Sequence, residues 1–423
     1  MRIGTGARIL ADLSRKGLRE NYWEVSRMAG RLARLARPEN GVFRDRVVRE
    51  LGWYVTGGPA PIRGQSPERA RAAVEWLCRA QDAGGDGGVA QGYFPCDDSP
   101  AWRPSYPETT GYIITSLLRF ADRYGDDAVR RRALRMARWE IAVQMDSGAV
   151  QAGTVCAPER QVAAIFNTGM VLDGWVTAYE ATEDAQYLKA GDRAADFLAG
   201  DLGENGHFRS HGSHVTMDRI KTYNCLCAWA LYRHGQSRQE PRYLDAAVVA
   251  VQAAVGQQTS CGWLRDNCLT RSEAPLLHTI GYALQGILEV GVLAGRRDFV
   301  DAAVRGVEPV LARMRPSGFL HGRFYEDWEP AGWSSCLTGS AQLAVVCYRL
   351  HQVTGSAAYR TAADRIVDYL KPLQAIGTAD PGVNGALGGS FPLFGSYMTA
   401  GYPNWATKYL LDALMLQDAS ATS

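Results

Sequence analysis

A glycine-centred turn recurs six times along this chain. It reads GGDGGVAQGYF (84–94), QMDSGAVQAG (144–153), GENGHFRS (203–210), QTSCGWLRD (258–266), RPSGFLHG (315–322) and PGVNGALGGS (381–390). With Gly88, Gly148, Gly206, Gly262, Gly318 and Gly385 as markers, the spacings are 60, 58, 56, 56 and 67 residues. A fixed period of this size is the mark of a repeat architecture, in which each unit buries its apolar face only against its neighbours.

Each unit holds two helical patterns. Before the turn, at 67–81, 128–145, 186–199, 240–257, 298–314 and 357–374, small or apolar residues recur every three or four positions with charges between them. That is a half-exposed helix. After the turn, at about 108–124, 167–182, 224–236, 278–294, 338–354 and 404–416, the runs are rich in Ala, Gly, Leu and Trp and poor in charge. Helices apolar nearly all round belong inside. Six alternations of outer and inner helix predict an all-α fold, an (α/α)6 barrel over residues 67–423. Residues 1–66 stand outside the repeat as a basic helical segment. The long connections run from outer to inner helices, which places all six turns on one face of the ring. That face is where a site is expected.

Composition narrows the partners. Hydrophobic residues are 46% and charged residues 21%, as in a globular chain. A net charge of +2 gives no case for nucleic-acid binding. No 18-residue apolar run or secretory leader is evident, so a cytoplasmic protein is expected. The first fifty residues carry 12 Lys/Arg against 6 Asp/Glu, with an apolar stripe through Leu10, Leu13, Leu18, Tyr22, Trp23, Val25, Met28 and Leu32. A helix packed on the barrel is the simpler reading; peripheral docking on the inner face of an anionic membrane, or on a partner, is the functional one. The nine cysteines show neither a disulfide rhythm nor zinc-knuckle spacing. His207, His211 and His214 share one loop without acidic partners in register, so no metal or other cofactor is expected. The nucleotide-binding, zinc-protease and serine-hydrolase signatures GxxxxGK[ST], GxGxxG, HExxH and GxSxG are absent.

The inner helices open with chemistry: Pro107-Glu108-Thr109, Phe166-Asn167-Thr168, Tyr223-Asn224, Leu277-His278-Thr279, Leu337-Thr338 and Pro403-Asn404-Trp405. Asn and Thr there read as helix caps. Six positive helix ends with unpaired N–H groups, aimed into one funnel, would favour an anion such as an acidic sugar. Glu108, between Tyr106 and Tyr112, and His278 are the acid/base candidates, with Tyr223 beside them. Asp266 and Asp327 are loop acids on the same face. Asn167, Asn224, Asn404, Arg323, Trp263, Trp328 and Tyr397 are the candidate substrate binders, since Arg grips carboxylates and aromatic rings stack on sugars.

The runs SYPETTGYI (105–113), FNTGMVLDG (166–174), KTYNCLCAWAL (221–231), PLLHTIGYALQGILE (275–289), CLTGSAQLA (336–344) and YPNWATKYLLDAL (402–414) resemble bacterial VpsJ-type polysaccharide-biosynthesis proteins. More distantly the helical repeat is similar to the toroid of D-glucuronyl C5-epimerases. The resemblance implies carbohydrate work in capsule or exopolysaccharide assembly. Three functions follow as expectations. The first is uronate C5-epimerisation, with proton abstraction next to a carboxylate. The second is hydrolysis or elimination of a glycan, the former needing Glu108 opposed by a second carboxylate. The third is a non-catalytic glycan-binding or scaffold role in a polysaccharide synthase.

Overall fold

The computed structural model describes residues 30–422 apart from 32, 38, 39, 98–100 and 213–219. His214 and the apolar stripe through Leu10 to Leu32 therefore lie outside the described residues. Helix α1 (Gly41–Thr56) precedes the ring. The outer helices are α2 (Ser66–Gly84), α4 (Asp127–Val143), α6 (Ala185–Asp201), α8 (Pro241–Gly256), α10 (Arg297–Ala312) and α12 (Ala357–Leu370). The inner helices are α3 (Pro107–Tyr124), α5 (Ile165–Thr182), α7 (Leu226–Arg238, entered through a 3-10 turn at Thr222–Cys225), α9 (Leu277–Leu293), α11 (Leu337–Thr354) and α13 (Asn404–Thr422).

Each inner helix packs on the next, and α13 packs on both α2 and α3, which closes the ring. The expected all-α (α/α)6 barrel is the observed fold. Its inner helices are buried over most of their length, as in α5, where Ile165 through Ala178 are all covered. Small residues make that possible. A Cβ on Gly111 would lie 2.6 Å from the Cα of Val171, and one on Gly286 would lie 2.7 Å from the Cα of Leu226. The outer helices carry the caps instead, with Asp126 and Asp184 accepting from Val129 and Gln186 backbone N–H groups.

The six turns share one backbone device. Gly148, Gly206, Gly262, Gly318 and Gly385 all have φ between 76° and 96°. In the first unit the left-handed residue is Gly87, at φ 115°, so the marker sits one residue before Gly88. The hydrogen bonds agree. The N–H two residues after the glycine, in Val89, Val150 and Leu387, donates to an inner-helix threonine, Thr110, Thr168 and Thr407 respectively. These threonines therefore brace the turns and do not cap the helices, correcting the capping reading. The N-cap residues of α3, α5, α9 and α11 are Tyr106, Ala164, Leu276 and Cys336, none with a side-chain cap hydrogen bond.

The leading N–H groups are not free either. Those of Ile165, Thr222, Leu277, Leu337 and Asn404 donate to carbonyls of Ser210, Asp266, Gly322, Gly389 and Gln91 in neighbouring loops, and α3 begins with Pro107. The turns are thus sewn to one another around the rim. Two short antiparallel pairs, Gly92–Tyr93 with Tyr402–Pro403 and Ser335–Cys336 with Ser390–Phe391, add to that rim. Helix α1 packs on the same end. Phe43 meets Tyr402, the Tyr54 hydroxyl donates to the Trp333 carbonyl at 2.9 Å, and the buried Glu50 accepts from the Leu393 N–H at 2.9 Å.

Candidate active site

The barrel axis is built in layers, and the layers follow from register. Glu108, Phe166, Tyr223, His278, Thr338 and Trp405 each stand second in their inner segment. Five of them, all but Thr338, line one cavity of about 360 Å³ at the turn-bearing end. Side chains four residues on share the same helix face. They are Tyr112, Met170, Cys227, Tyr282, Gln342 and Tyr409, all buried, and they form the layer one turn below the cup, with Tyr282 lining its floor. A larger groove of about 620 Å³ lies on the ring's outside, among Arg63, Arg360, Asp364 and Gln417. It touches no inner-helix start, so the smaller, deeper cavity is the better candidate site.

Aromatic rings form its wall. Tyr106 and Trp405 lie 6.3 Å apart, and the Trp405 indole donates to the Tyr397 hydroxyl at 2.8 Å. Tyr397 faces His278 at 5.5 Å, His278 faces Tyr282 at 4.3 Å, Tyr282 faces Phe166 at 4.6 Å, and Phe166 faces Tyr223 at 5.4 Å. Asn167 also lines the cavity, its amide held on the Gln151 carbonyl at 2.6 Å.

Two ionisable groups matter here. Glu108 accepts a 2.6 Å hydrogen bond from the Tyr106 hydroxyl. Burial pushes its carboxyl up to about 7, against the opposing effect of that hydrogen bond. His278 is pushed down to about 4 by burial, with its Gln342 contact working the other way. The Gln342 amide oxygen lies 2.8 Å from the His278 Nδ1 and can only accept. Nδ1 therefore carries the proton, and Nε2 keeps its lone pair. The ring order α3, α5, α7, α9, α11, α13 sets α3 and α9 three places apart. Glu108 and His278 thus stand on opposite walls at the same height. Burial also raises the Tyr106 and Tyr223 hydroxyls, so both stay protonated.

Of the residues singled out in the sequence, Glu108, His278, Tyr223, Tyr106, Asn167 and Tyr397 line the cavity. Tyr112 lies one turn below. Asn224 stands behind the wall, its amide 2.9 Å from the Nδ1 of His211, which itself lines the cup. Asn404 is a structural tie from the Ala90 carbonyl to Thr109. The remaining five lie elsewhere. Trp263 and Trp328 meet edge to face at 5.3 Å, and Trp328 donates to the Cys261 carbonyl. Arg323 donates to the Ala274 carbonyl at 2.7 Å. Asp266 is exposed at φ 52°, its carbonyl holding the Thr222 N–H. Asp327 is exposed and accepts from the Glu329 N–H within its own turn. Loop residues have no register to aim them, and these five serve the loops. Phe166, Tyr282, Gln342 and His211 were missed. A four-residue step from His278 or Thr338 along the helix face finds Tyr282 and Gln342.

Among the described residues, Glu108 is the sole carboxylate lining the cavity, and no Arg or Lys lines it. No group of three or more potential metal ligands occurs among the described residues. No described helix is long and apolar enough to cross a membrane.

Solved structures share this architecture. An unsaturated glucuronyl hydrolase specific for heparin superposes with a TM-score of 0.69 at 16% identity, over 85% of this chain and 98% of that one. A D-mannose isomerase gives 0.65 at 12% identity, over 83% and 97%. Cellobiose 2-epimerase from Bacillus thermoamylovorans gives 0.64 at 10% identity, over 82% and 98%. At these identities the likeness establishes the fold. No protein-family profile matches the sequence and no curated protein does, so the likeness to VpsJ-type proteins rests on its six sequence runs.

Proposed function

We propose that the protein is a saccharide epimerase or isomerase that moves a proton between Glu108 and His278. The observation that carries this reading is their placement on opposite walls of one aromatic cup, at the same step of helices α3 and α9. A carbon acid next to a sugar carbonyl would lie between them. One group takes the proton bonded to carbon, an enediolate forms, and the other returns a proton to that carbon from the far face. Glu108, near 7, is matched to neutral pH for either direction. His278, neutral with a bare Nε2, can accept a proton there, and burial makes it give that proton up readily. The rings of Phe166, Tyr223, Tyr397 and Trp405 would hold the sugar by stacking. The solved neighbours named as an isomerase, an epimerase and a glucuronyl hydrolase agree in substrate class, and two of the three names agree in reaction class.

The lining favours an uncharged sugar, because among the described residues it offers no Arg or Lys and the leading helix N–H groups are engaged by loop carbonyls. Uronate C5-epimerisation is the second reading. A protonated Glu108 would donate to the uronate carboxylate, which is what favours it. Two-carboxylate hydrolysis has the least support, since Asp266 and Asp327 lie outside the cup. The test is incubation in D₂O with reducing sugars and with uronate oligosaccharides. Deuterium at C2 of a reducing sugar supports the first reading, and deuterium at C5 of a uronate supports the second. Release of new reducing ends without carbon-bound deuterium would overturn both.

A further inference from the structure

The inner helices carry side chains to a second mouth, at the end of the ring opposite the cup. Eleven residues beyond Glu108, His278 and Thr338 stand Arg119, Glu289 and Arg349. On a helix that is about 16 Å further along the axis. Between the two ends lie the tyrosine floor and a Lys408–Asp412 ion pair at 2.8 Å, its ammonium 3.9 Å from the Tyr409 ring centroid. The lower mouth opens as a separate cavity of about 440 Å³.

Its charges are arranged unevenly. Arg233 is held by Asp173 and by Glu180, the latter at 2.6 Å. Arg349 is held by Glu289 at 3.1 Å. Arg119 is exposed and makes no hydrogen bond or ion pair among the described residues, though it acts on Asp173 and Glu289 through the field. Burial raises the Glu289 carboxyl above its ordinary range, against the pull of Arg349. Gln285 also lines this cavity. It is 8% exposed, and its amide oxygen is buried without a hydrogen-bond partner. A buried acceptor left unmade costs about 1–3 kcal/mol, so its retention in a cavity wall points to a donor supplied from outside. Trp229, half-buried, provides an apolar wall beside them.

We propose that this lower mouth binds a small hydroxylated anion, a carboxylate or phosphate ester of a polyol. Its anionic group would meet the Arg119 guanidinium, and one of its hydroxyls would donate to the Gln285 amide oxygen. The site shares no lining residue with the upper cup, so it stands apart from the reaction proposed there.

Calorimetric titration with glucuronate, glucose 6-phosphate, glucose and inorganic phosphate tests this. Glucose reports the upper cup, and an event seen with the anions but not with glucose reports the lower mouth. Arg119→Met should weaken that event by at least about tenfold. Gln285→Leu should weaken binding of the two sugar anions and spare inorganic phosphate. Trp405→Ala, in the upper cup, should leave it unchanged. Tighter binding of glucuronate or of glucose 6-phosphate tells whether a carboxylate or a phosphate is preferred. The proposal is overturned if the wild type shows no anion-dependent binding up to the order of tens of millimolar, or if Arg119→Met titrates like the wild type.

Discussion

Replacing Glu108 with Gln should make the protein more stable at high pH. The carboxyl is held at about 7 by burial, against an ordinary 4.5. A folded-state value above the unfolded one gives stability that is full below 4.5 and is lost as pH rises through 7. The whole gap is worth about 3 kcal/mol. About 2 kcal/mol of it falls between roughly pH 5.5 and pH 8.5 by the same linkage. Gln keeps the shape and can still accept from the Tyr106 hydroxyl, but it never has to hold a charge. Its advantage over the wild type should therefore grow by about 2 kcal/mol across that window, less whatever cavity water screens. With 423 residues at about 2.1 cal/mol/K each, the unfolding entropy is about 0.9 kcal/mol/K, so Tm should gain about 2 °C. Scanning calorimetry of both proteins at the two pH values measures it. Turnover by the same variant should fall about 10²- to 10⁴-fold. An advantage that stays flat or shrinks as pH rises would show that Glu108 is an ordinary solvated acid, and the acid/base reasoning would fail.

Gln342→Leu leaves the buried Nδ1–H of His278 without its acceptor; stability should drop by about 1–3 kcal/mol, and kcat should fall with little change in KM. Arg233→Met strips the buried Asp173 carboxylate of its guanidinium. Denaturant melts should show a loss of about 3–5 kcal/mol near neutral pH. Burial alone would raise the Asp173 carboxyl, yet Arg233 and Arg119 hold it below its usual range, so the difference should shrink as pH falls through the carboxylate range. Gly262→Ala puts a Cβ 2.0 Å from the Arg305 carbonyl oxygen at φ +85°, at a cost on the order of 2–4 kcal/mol. Gly125→Ala, at φ +66° with nothing within 4 Å, should cost about 1 kcal/mol. Equal melting shifts for the two glycine variants would mean that the close approach of Gly262 to Arg305 of outer helix α10 adds nothing to the backbone strain.

Much of this was legible from periodicity. The alternation of charged and apolar helices specified the ring, and the six turns marked the end that holds the aromatic cavity. The error of one residue at Gly88 arose because Gly87 stands beside it, and sequence cannot say which glycine takes the left-handed conformation. Asn and Thr at the inner-helix starts read as caps because that is their commonest use. Here loop carbonyls satisfy the leading N–H groups, which frees Thr110 and Thr168 to brace turns. Glu108 and His278 could be found because they sit on helices at one register. Asp266, Asp327, Trp263, Trp328 and Arg323 sit in loops, where spacing says nothing about direction. The His278–Gln342 contact joins residues 64 apart, and its partner becomes visible only once α9 lies against α11.

The most direct test of the central claim is where solvent hydrogen lands in the first turnovers. With the responding sugar in D₂O, an opposed pair predicts deuterium in the inverted product while recovered substrate stays unlabelled. Substrate and product labelled together from the start would mean one base serving a single face, and the opposed roles given to Glu108 and His278 would be wrong.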